Sequence, residues 1–120
     1  KDLSLPSTLH LFDGSVPTIV FTSKEKESYN NVEYILLDFS TSILPQMMEV
    51  LYARNIQSLL VEGGSQLLQS FLDENCWDEI FVEEAPFTLQ DGVKAPIPPM
   101  DRLLETTPYF GRIITRYKRK

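Results

Sequence analysis

The stretch that most constrains the fold of this chain is residues 58–68, which read SLLVEGGSQLL. The apolar run before the glycines predicts a buried strand at 57–62, and the leucine spacing after them predicts a helix at 65–75. A helix that begins at such a turn presents unpaired N–H groups and the positive end of its dipole. Phosphate groups bind readily there, and glycines let a pyrophosphate approach the backbone closely. We therefore predict a nucleotide or phosphorylated ligand at this turn; the alternative is a tight turn that binds no ligand.

Strands and helices alternate before this turn. β-Branched and apolar residues at 17–23 and 32–38 predict two strands. Hydroxyl residues at 40–42, followed by Pro45, predict the start of a helix that extends to about Asn55. Alternation of this kind is typical of parallel strands joined by helical crossovers.

The residues after the turn predict a different arrangement. A strand is expected at 78–84, a long ordered loop at 85–99, and two short strands near 102–107 and 111–118. Consecutive strands without helices between them indicate antiparallel pairing. We predict one α/β domain over residues 1–120, with a mixed, mostly parallel sheet, flanking helices and antiparallel C-terminal strands.

Composition argues against several classes of protein. The net charge of −6 provides no basic face for nucleic acid. No apolar run is long enough to cross a membrane, and the single histidine, His10, has no neighbours at metal-ligand spacing. The single cysteine, Cys76, allows no internal disulfide and fits a reducing compartment. We therefore expect a cytoplasmic protein that binds no nucleic acid, no membrane and no metal.

Charged residues elsewhere are interpreted as structural. Asp78 and Glu79 are neighbours on a predicted strand, so their carboxylates should point to opposite faces and should not form an acid–base pair. Five of the eleven lysines and arginines fall between Arg112 and Lys120, which is typical of a solvated final strand and tail. The alternative is that this basic cluster helps to neutralise a bound phosphate.

Together these motifs resemble the reductase domain of the RibD family of riboflavin biosynthesis proteins, which has a dihydrofolate-reductase-like fold. The resemblance extends over essentially the whole chain. It depends on the combination of motifs, because each motif alone is weak evidence for the family. The motifs are PTIVFT at 17–22, EGG at 62–64, Leu67 and Phe71 in the following helix, WDEI at 77–80, AP at 85–86, Gly92, AP at 95–96 and YFG at 109–111.

The resemblance implies an enzyme that uses NADPH to reduce the ribosyl side chain of 5-amino-6-(5-phosphoribosylamino)uracil, or of its diamino-pyrimidinone analogue, to a ribityl chain. Reductases of this family are usually dimers, so a homodimer is expected. The resemblance assigns no catalytic residue, but it implies that Glu62 faces the substrate. It also implies cofactor contacts from Thr22, Ser23, Gly63, Gly64, Ser65, Gln66, Leu67, Leu68 and Ser70.

Some of these residues have simpler interpretations. Thr22 and Ser23 could end a strand or cap the following turn. Glu62 could be a carboxylate favoured near the positive end of a helix. Lys24 could reach the 2′-phosphate of NADPH, but a lysine in a run of four charged residues is more often solvated.

In the RibD family the reductase domain begins well before the position of Lys1. We therefore expect this chain to be the C-terminal portion of that domain, cut from a bifunctional deaminase–reductase. It should carry part of an active site and be inactive when isolated. Two alternatives remain: a non-catalytic module that dimerises, and a stand-alone reductase-like relative that acts on another pterin or pyrimidine.

Overall fold

The computed structural model describes residues 3–120, which form two compact units with a boundary between Leu59 and Leu60. The expectation of a single domain over residues 1–120 stays a prediction. The first unit holds strands β1 (Thr18–Thr22) and β2 (Val32–Leu36) and helix α1 (Ile43–Ala53). The second unit holds helix α2 (Ser65–Asp73) and strands β3 (Glu79–Glu84), β4 (Leu103–Tyr109) and β5 (Arg112–Lys118). Short 3₁₀ turns cover His10–Phe12 and Met100–Arg102.

The first unit is built on a parallel pair of strands. β1 and β2 are in register from Thr18 opposite Val32 to Thr22 opposite Leu36. Leu44 and Leu51 lie two turns apart on one face of α1, and both are buried, as the helical spacing of apolar residues requires. The buried side chains of this unit are Phe12, Thr22, Val32, Leu37, Leu44 and Leu51.

The second unit contains an antiparallel sheet of three strands that follows α2. The strand order β3-β5-β4 places β5 in the centre. On one face of this sheet, half-buried Ile80 and Val82 of β3 lie opposite buried Tyr117 and Thr115 of β5. The buried residue of α2 is Phe71. The alternation along β3 therefore places its more buried side chains on one face, against β5, whereas every residue of β4 is exposed.

Both helices end with an asparagine in the left-handed region of backbone conformation. Asn55 follows α1 with a φ of 57°, and Asn75 follows α2 with a φ of 54°. After α2, the N–H of half-buried Cys76 donates to the carbonyl of Phe71 at 2.9 Å, and α1 closes with an equivalent bond. These are Schellman motifs, in which a residue that tolerates a positive φ lets the chain satisfy the last helical carbonyls. They end both helices within two residues of the predicted positions.

The predicted α/β class is confirmed, with parallel strands in the first half of the chain and antiparallel strands in the second. The five strands lie in two sheets, a parallel pair in the first unit and an antiparallel triplet in the second. The ordered loop at 85–99 is also confirmed, since no helix or strand interrupts it.

The predicted strand at 57–62 is wrong. None of its residues is paired in a sheet within the described chain, and Leu59 and Leu60 are 44% and 81% exposed. An apolar run indicates burial, but a strand forms only where a neighbour satisfies its backbone N–H and C=O groups. Here the segment connects the end of α1 to the start of α2, and the boundary between the two units falls inside it.

Candidate functional site

The N-terminus of α2 presents open backbone donors. Gly64 is its N-cap residue with extended backbone (φ −67°, ψ 151°), and no side chain caps the helix. The N–H of Leu68 donates to the Gly64 carbonyl at 3.2 Å and makes the first helical bond. The preceding N–H groups of Ser65, Gln66 and Leu67 have no hydrogen-bond partner within residues 3–120. Three N–H groups at the positive end of the helix dipole can therefore bind an anion.

The two glycines before α2 serve different purposes. Gly63 has a φ of 138°, in a region that side-chain-bearing residues rarely adopt, so the turn itself requires glycine. Gly64 has an ordinary φ, and a Cβ built on it would meet no atom within 4 Å. Gly64 therefore leaves open space beside the N–H groups, whereas Gly63 shapes the backbone.

Replacement of Gly63 with alanine is expected to destabilise the fold by about 1–3 kcal/mol, because the positive φ becomes strained. The added Cβ would lie an ordinary 3.8 Å from Leu67 Cδ2, so the cost comes from the backbone and not from a clash. Gly64→Ala is the matched control and should change stability by less than about 1 kcal/mol, because its ordinary φ suits alanine and this gain offsets the preference for glycine over alanine at an N-cap. Chemical denaturation of both variants measures the difference, and equal stabilities would contradict the assigned turn.

A cleft of about 400 Å³ runs beside α2. Its helical wall is formed by residues one turn apart, and its other wall by the loop that follows β3. The lining residues are Ser65, Gln66, Gln69, Ser70 and Asp73 of α2 and Lys94, Ala95 and Pro96 of the loop. The structure thus brings three of the predicted cofactor residues, Ser65, Gln66 and Ser70, together on one wall.

The remaining predicted residues of this segment lie around the cleft and not in its wall. Leu67 and Leu68 are half-buried on α2, and of their two backbone N–H groups only that of Leu67 is open within residues 3–120, since that of Leu68 donates to the Gly64 carbonyl. The hydroxyl of Ser70 donates to the Leu67 carbonyl at 2.7 Å. Glu62 was expected to be the last residue of a strand, but it lies exposed on the connection, two residues before the N-cap Gly64.

Thr22 and Ser23 lie in the first unit, at the end of β1. Thr22 is 1% exposed, and its hydroxyl accepts the N–H of Lys24 at 3.0 Å and donates to the carbonyl of Lys24 at 3.3 Å. This geometry matches the simpler interpretation, in which the residue caps a local turn. Ser23 is exposed. Their contact with a cofactor stays a prediction.

Lys24 lines a second cleft, of about 370 Å³, within the first unit. Two lysines and two glutamates alternate along this wall, so the cleft has no single sign of charge. The ammonium of Lys26 lies 4.5 Å from the centre of the Tyr34 ring, at cation–π distance. The lining residues are Lys24, Glu25, Lys26, Glu27, Tyr34 and Leu36.

The carboxylates of Asp78 and Glu79 do not form an acid–base pair. Asp78 lies 2.9 Å from a guanidinium nitrogen of Arg119. Glu79 lies 2.8 Å from Arg116, and this hydrogen bond holds the pKa of Glu79 below its usual value. Each carboxylate is thus held by a different arginine, which confirms their structural interpretation. Both arginines belong to the basic cluster between Arg112 and Lys120, so these ion pairs occupy part of that cluster.

Sequence reasoning missed Gln69, Asp73 and Lys94. The two residues on α2 could have been predicted from the sequence, because polar residues at 66, 69, 70 and 73 recur at helical spacing along one face. No sequence pattern predicts the position of Lys94, because its place beside α2 depends on the conformation of a long loop.

Neither a cluster of metal-ligating side chains nor a membrane-spanning helix occurs in the part of the chain that the structure describes. No three histidine, cysteine, aspartate or glutamate side chains among residues 3–120 are grouped as metal ligands. No helix in that range combines the length and apolar character needed to span a bilayer.

Comparison with known families identifies the chain. The family model described as RibD C-terminal domain matches residues 1–103. The chain belongs to the RibD C-terminal domain family. Among curated proteins, it is 29% identical over 102 residues to the riboflavin biosynthesis protein RibD of Bacillus amyloliquefaciens. That match covers 78% of this chain but only 27% of the Bacillus RibD, so the chain spans about a quarter of that relative.

Solved structures agree with membership of the RibD C-terminal domain family. A diaminohydroxyphosphoribosylaminopyrimidine deaminase/5-amino-6-(5-phosphoribosylamino)uracil reductase from Thermotoga maritima is 26% identical, with a TM-score of 0.67 over 83% of this chain and 30% of that one. A pyrimidine reductase-like protein from Corynebacterium diphtheriae has the same fold, with a TM-score of 0.74 and 20% identity over 95% of this chain and 56% of that one.

Proposed function

We propose that this chain is part of an NADPH-dependent reductase of riboflavin biosynthesis. The reaction would reduce the ribosyl side chain of 5-amino-6-(5-phosphoribosylamino)uracil, or of its diamino-pyrimidinone analogue, to ribityl. The observation that supports this most strongly is the start of α2, where three N–H groups have no partner among residues 3–120 and lie beside the open space at Gly64. Membership of the RibD C-terminal domain family supports the reaction class.

The residues present fit the pyrophosphate of NADPH. The N–H groups of Ser65, Gln66 and Leu67 would bind its oxygens, and the absence of a side chain at Gly64 leaves room for them. Ser70 lines the same cleft one turn further along, but its hydroxyl proton is donated to the carbonyl of Leu67, so the backbone N–H groups are the donors that remain open to the pyrophosphate. When bound, NADPH supplies the hydride, and the protein contributes binding, orientation and electrostatics.

Glu62 is the residue we propose to face the substrate. It is exposed on the connection that leads into α2, and no ammonium or guanidinium group holds it in an ion pair within residues 3–120. A carboxylate in that position can accept hydrogen bonds from a ribose hydroxyl or an amino group. Its place beside the proposed pyrophosphate site would put substrate and cofactor next to each other.

The proposed reaction is tested by following NADPH oxidation in the natural protein that carries this chain. The loss of NADPH absorbance should require the phosphoribosylamino-pyrimidine, and the product should be its ribitylamino counterpart by mass spectrometry. A control with the ribitylamino product in place of substrate should give no oxidation. Failure of the protein to bind NADPH would contradict the proposal.

A non-catalytic assembly role is the second candidate, and exposed apolar side chains favour it. Leu89, Val93 and Ile97 on the loop after β3 are 74%, 87% and 78% exposed. Exposed apolar side chains on one loop are candidates for contact with another chain, and a homodimer is the arrangement we propose. Analytical ultracentrifugation with and without NADPH separates the two candidates. A tight dimer that is indifferent to NADPH would favour assembly over reduction.

A further inference from the structure

Among residues 3–120, Lys94 is the one cation that lines the cleft beside α2. It lies on the loop wall of the same cleft whose helical wall includes Ser65 and Gln66. It takes part in none of the ion pairs formed by residues 3–120. An exposed lysine with this position can direct its ammonium into the cleft, because its four-carbon stem is long and flexible.

The loop that carries Lys94 is tied to α2 by a side-chain amide. The N–H of Ile97 donates to Oε1 of Gln69 at 3.2 Å, across 28 residues of sequence. The other end of the same amide, Nε2 of Gln69, donates to Oδ1 of Asp73 at 2.8 Å. Gln69 is therefore oriented at both ends, and it holds the loop against the helix.

Asp73 is the only carboxylate of the described residues that lines this cleft, and it does not neutralise Lys94. It accepts the hydrogen bond from Gln69, and it makes no ion pair with Lys94 within the described residues. Asp73 is also the last residue of α2, and Ser65 is the first, so about 12 Å of helix separates the carboxylate from the open N–H groups. The ammonium of Lys94 is left available for an anionic ligand.

We propose that Lys94 is a phosphate-binding residue of this cleft, and that Gln69 positions it. The ammonium of Lys94 contacts the same pyrophosphate that the N–H groups at the start of α2 bind. The partial positive charge of the helix end offsets only part of the negative charge of the pyrophosphate, and the ammonium offsets more of it. The inference rests on the proposed function, because it takes the pyrophosphate of a nicotinamide cofactor as the ligand.

Lys94→Gln is expected to weaken binding of NADPH and of NADH by the same factor, about tenfold, since both carry the pyrophosphate. Lys94→Arg should retain most of the affinity. Lys118→Gln, which removes an exposed lysine from β5, is the matched control and should bind as the unsubstituted protein does. Titration of the natural protein with each nucleotide, followed by intrinsic fluorescence, gives the affinities.

The outcomes separate this inference from the proposed function. If Lys94→Gln weakens the binding of NADPH and NADH equally, the inference is supported. If it weakens the binding of NADPH alone, Lys94 contacts the 2′-phosphate and the inference is overturned. Unchanged affinity in Lys94→Gln, in a protein that binds NADPH, would overturn the inference and leave the proposed function intact. An unsubstituted protein that binds neither nucleotide would overturn both.

The role of Gln69 is tested with a readout that does not depend on binding. Gln69→Leu should speed hydrogen exchange of the Ile97 amide, because that N–H loses its acceptor. The same variant should weaken NADPH and NADH equally, and by no more than Lys94→Gln does. Faster exchange with unchanged affinity would contradict the positioning role.

Discussion

Replacement of Gly64 with aspartate is expected to lower the affinity for NADPH by about a hundredfold while the chain stays folded. Gly64 is the N-cap of α2, and a Cβ there meets no atom within 4 Å, so the new side chain fits. Aspartate is a preferred N-cap residue and should maintain or raise the melting temperature. Its charge would lie beside the pyrophosphate, where repulsion at about 4 Å amounts to roughly 4 kcal/mol at an effective dielectric constant of about 20, before screening by salt.

Gly64→Asn is the matched control for this variant, because asparagine has nearly the same shape and capping ability without the charge. It should lose less affinity than Gly64→Asp, because its amide competes for the N–H groups of Gln66 and Leu67 but adds no repulsive charge. Nucleotide titration measures both affinities, and thermal unfolding checks that both variants fold. An unchanged affinity in Gly64→Asp would show that the pyrophosphate binds elsewhere.

Replacement of Glu62 with glutamine is expected to lower kcat/KM for the pyrimidine substrate by about ten- to a hundredfold, with NADPH affinity unchanged. A hydrogen bond to a carboxylate contributes about 1.5–3 kcal/mol, and glutamine keeps the shape of glutamate while it removes the charge. Glu62 lies outside the wall of the cleft beside α2, so the cofactor should not sense the change. Steady-state kinetics together with NADPH titration separates the two effects.

Glu84 provides the control for Glu62, because it is an exposed glutamate at the end of β3 and lies outside the cleft. Glu84→Gln should leave kcat/KM and NADPH affinity unchanged. If Glu62→Gln lowered NADPH affinity as much as it lowered kcat/KM, Glu62 would belong to the cofactor site. Unchanged kinetics in Glu62→Gln would remove it from the substrate site.

Local chemistry made most of the elements predictable. The start of α1 follows from Ser42 and Pro45, and the end of α2 follows from the asparagine at 75, whose left-handed backbone closes the helix. The strand at 57–62 was not predictable in this way. Its apolar residues indicate burial, but pairing depends on a neighbouring strand, which local sequence does not report.

Only the part of the candidate site formed by residues close together in sequence could be predicted. Ser65, Gln66 and Ser70 could be named from the glycine turn and the helix that follows it, and the structure places them on one wall of a cleft. The opposite wall could not be named, because Lys94 reaches the helix through a loop held by a hydrogen bond that joins residues distant in sequence. Contacts of that range depend on the fold as a whole.

The central claim is that the open N–H groups at the start of α2 bind the cofactor pyrophosphate. The most direct test is NMR of the backbone amides of Ser65, Gln66 and Leu67 during NADPH titration. These amides have no partner within residues 3–120, so bound phosphate oxygens should shift their signals and slow their exchange with water. The same amides should not respond in Gly64→Asp. Signal changes elsewhere in the chain, with these three amides unaffected at saturating NADPH, would contradict the account.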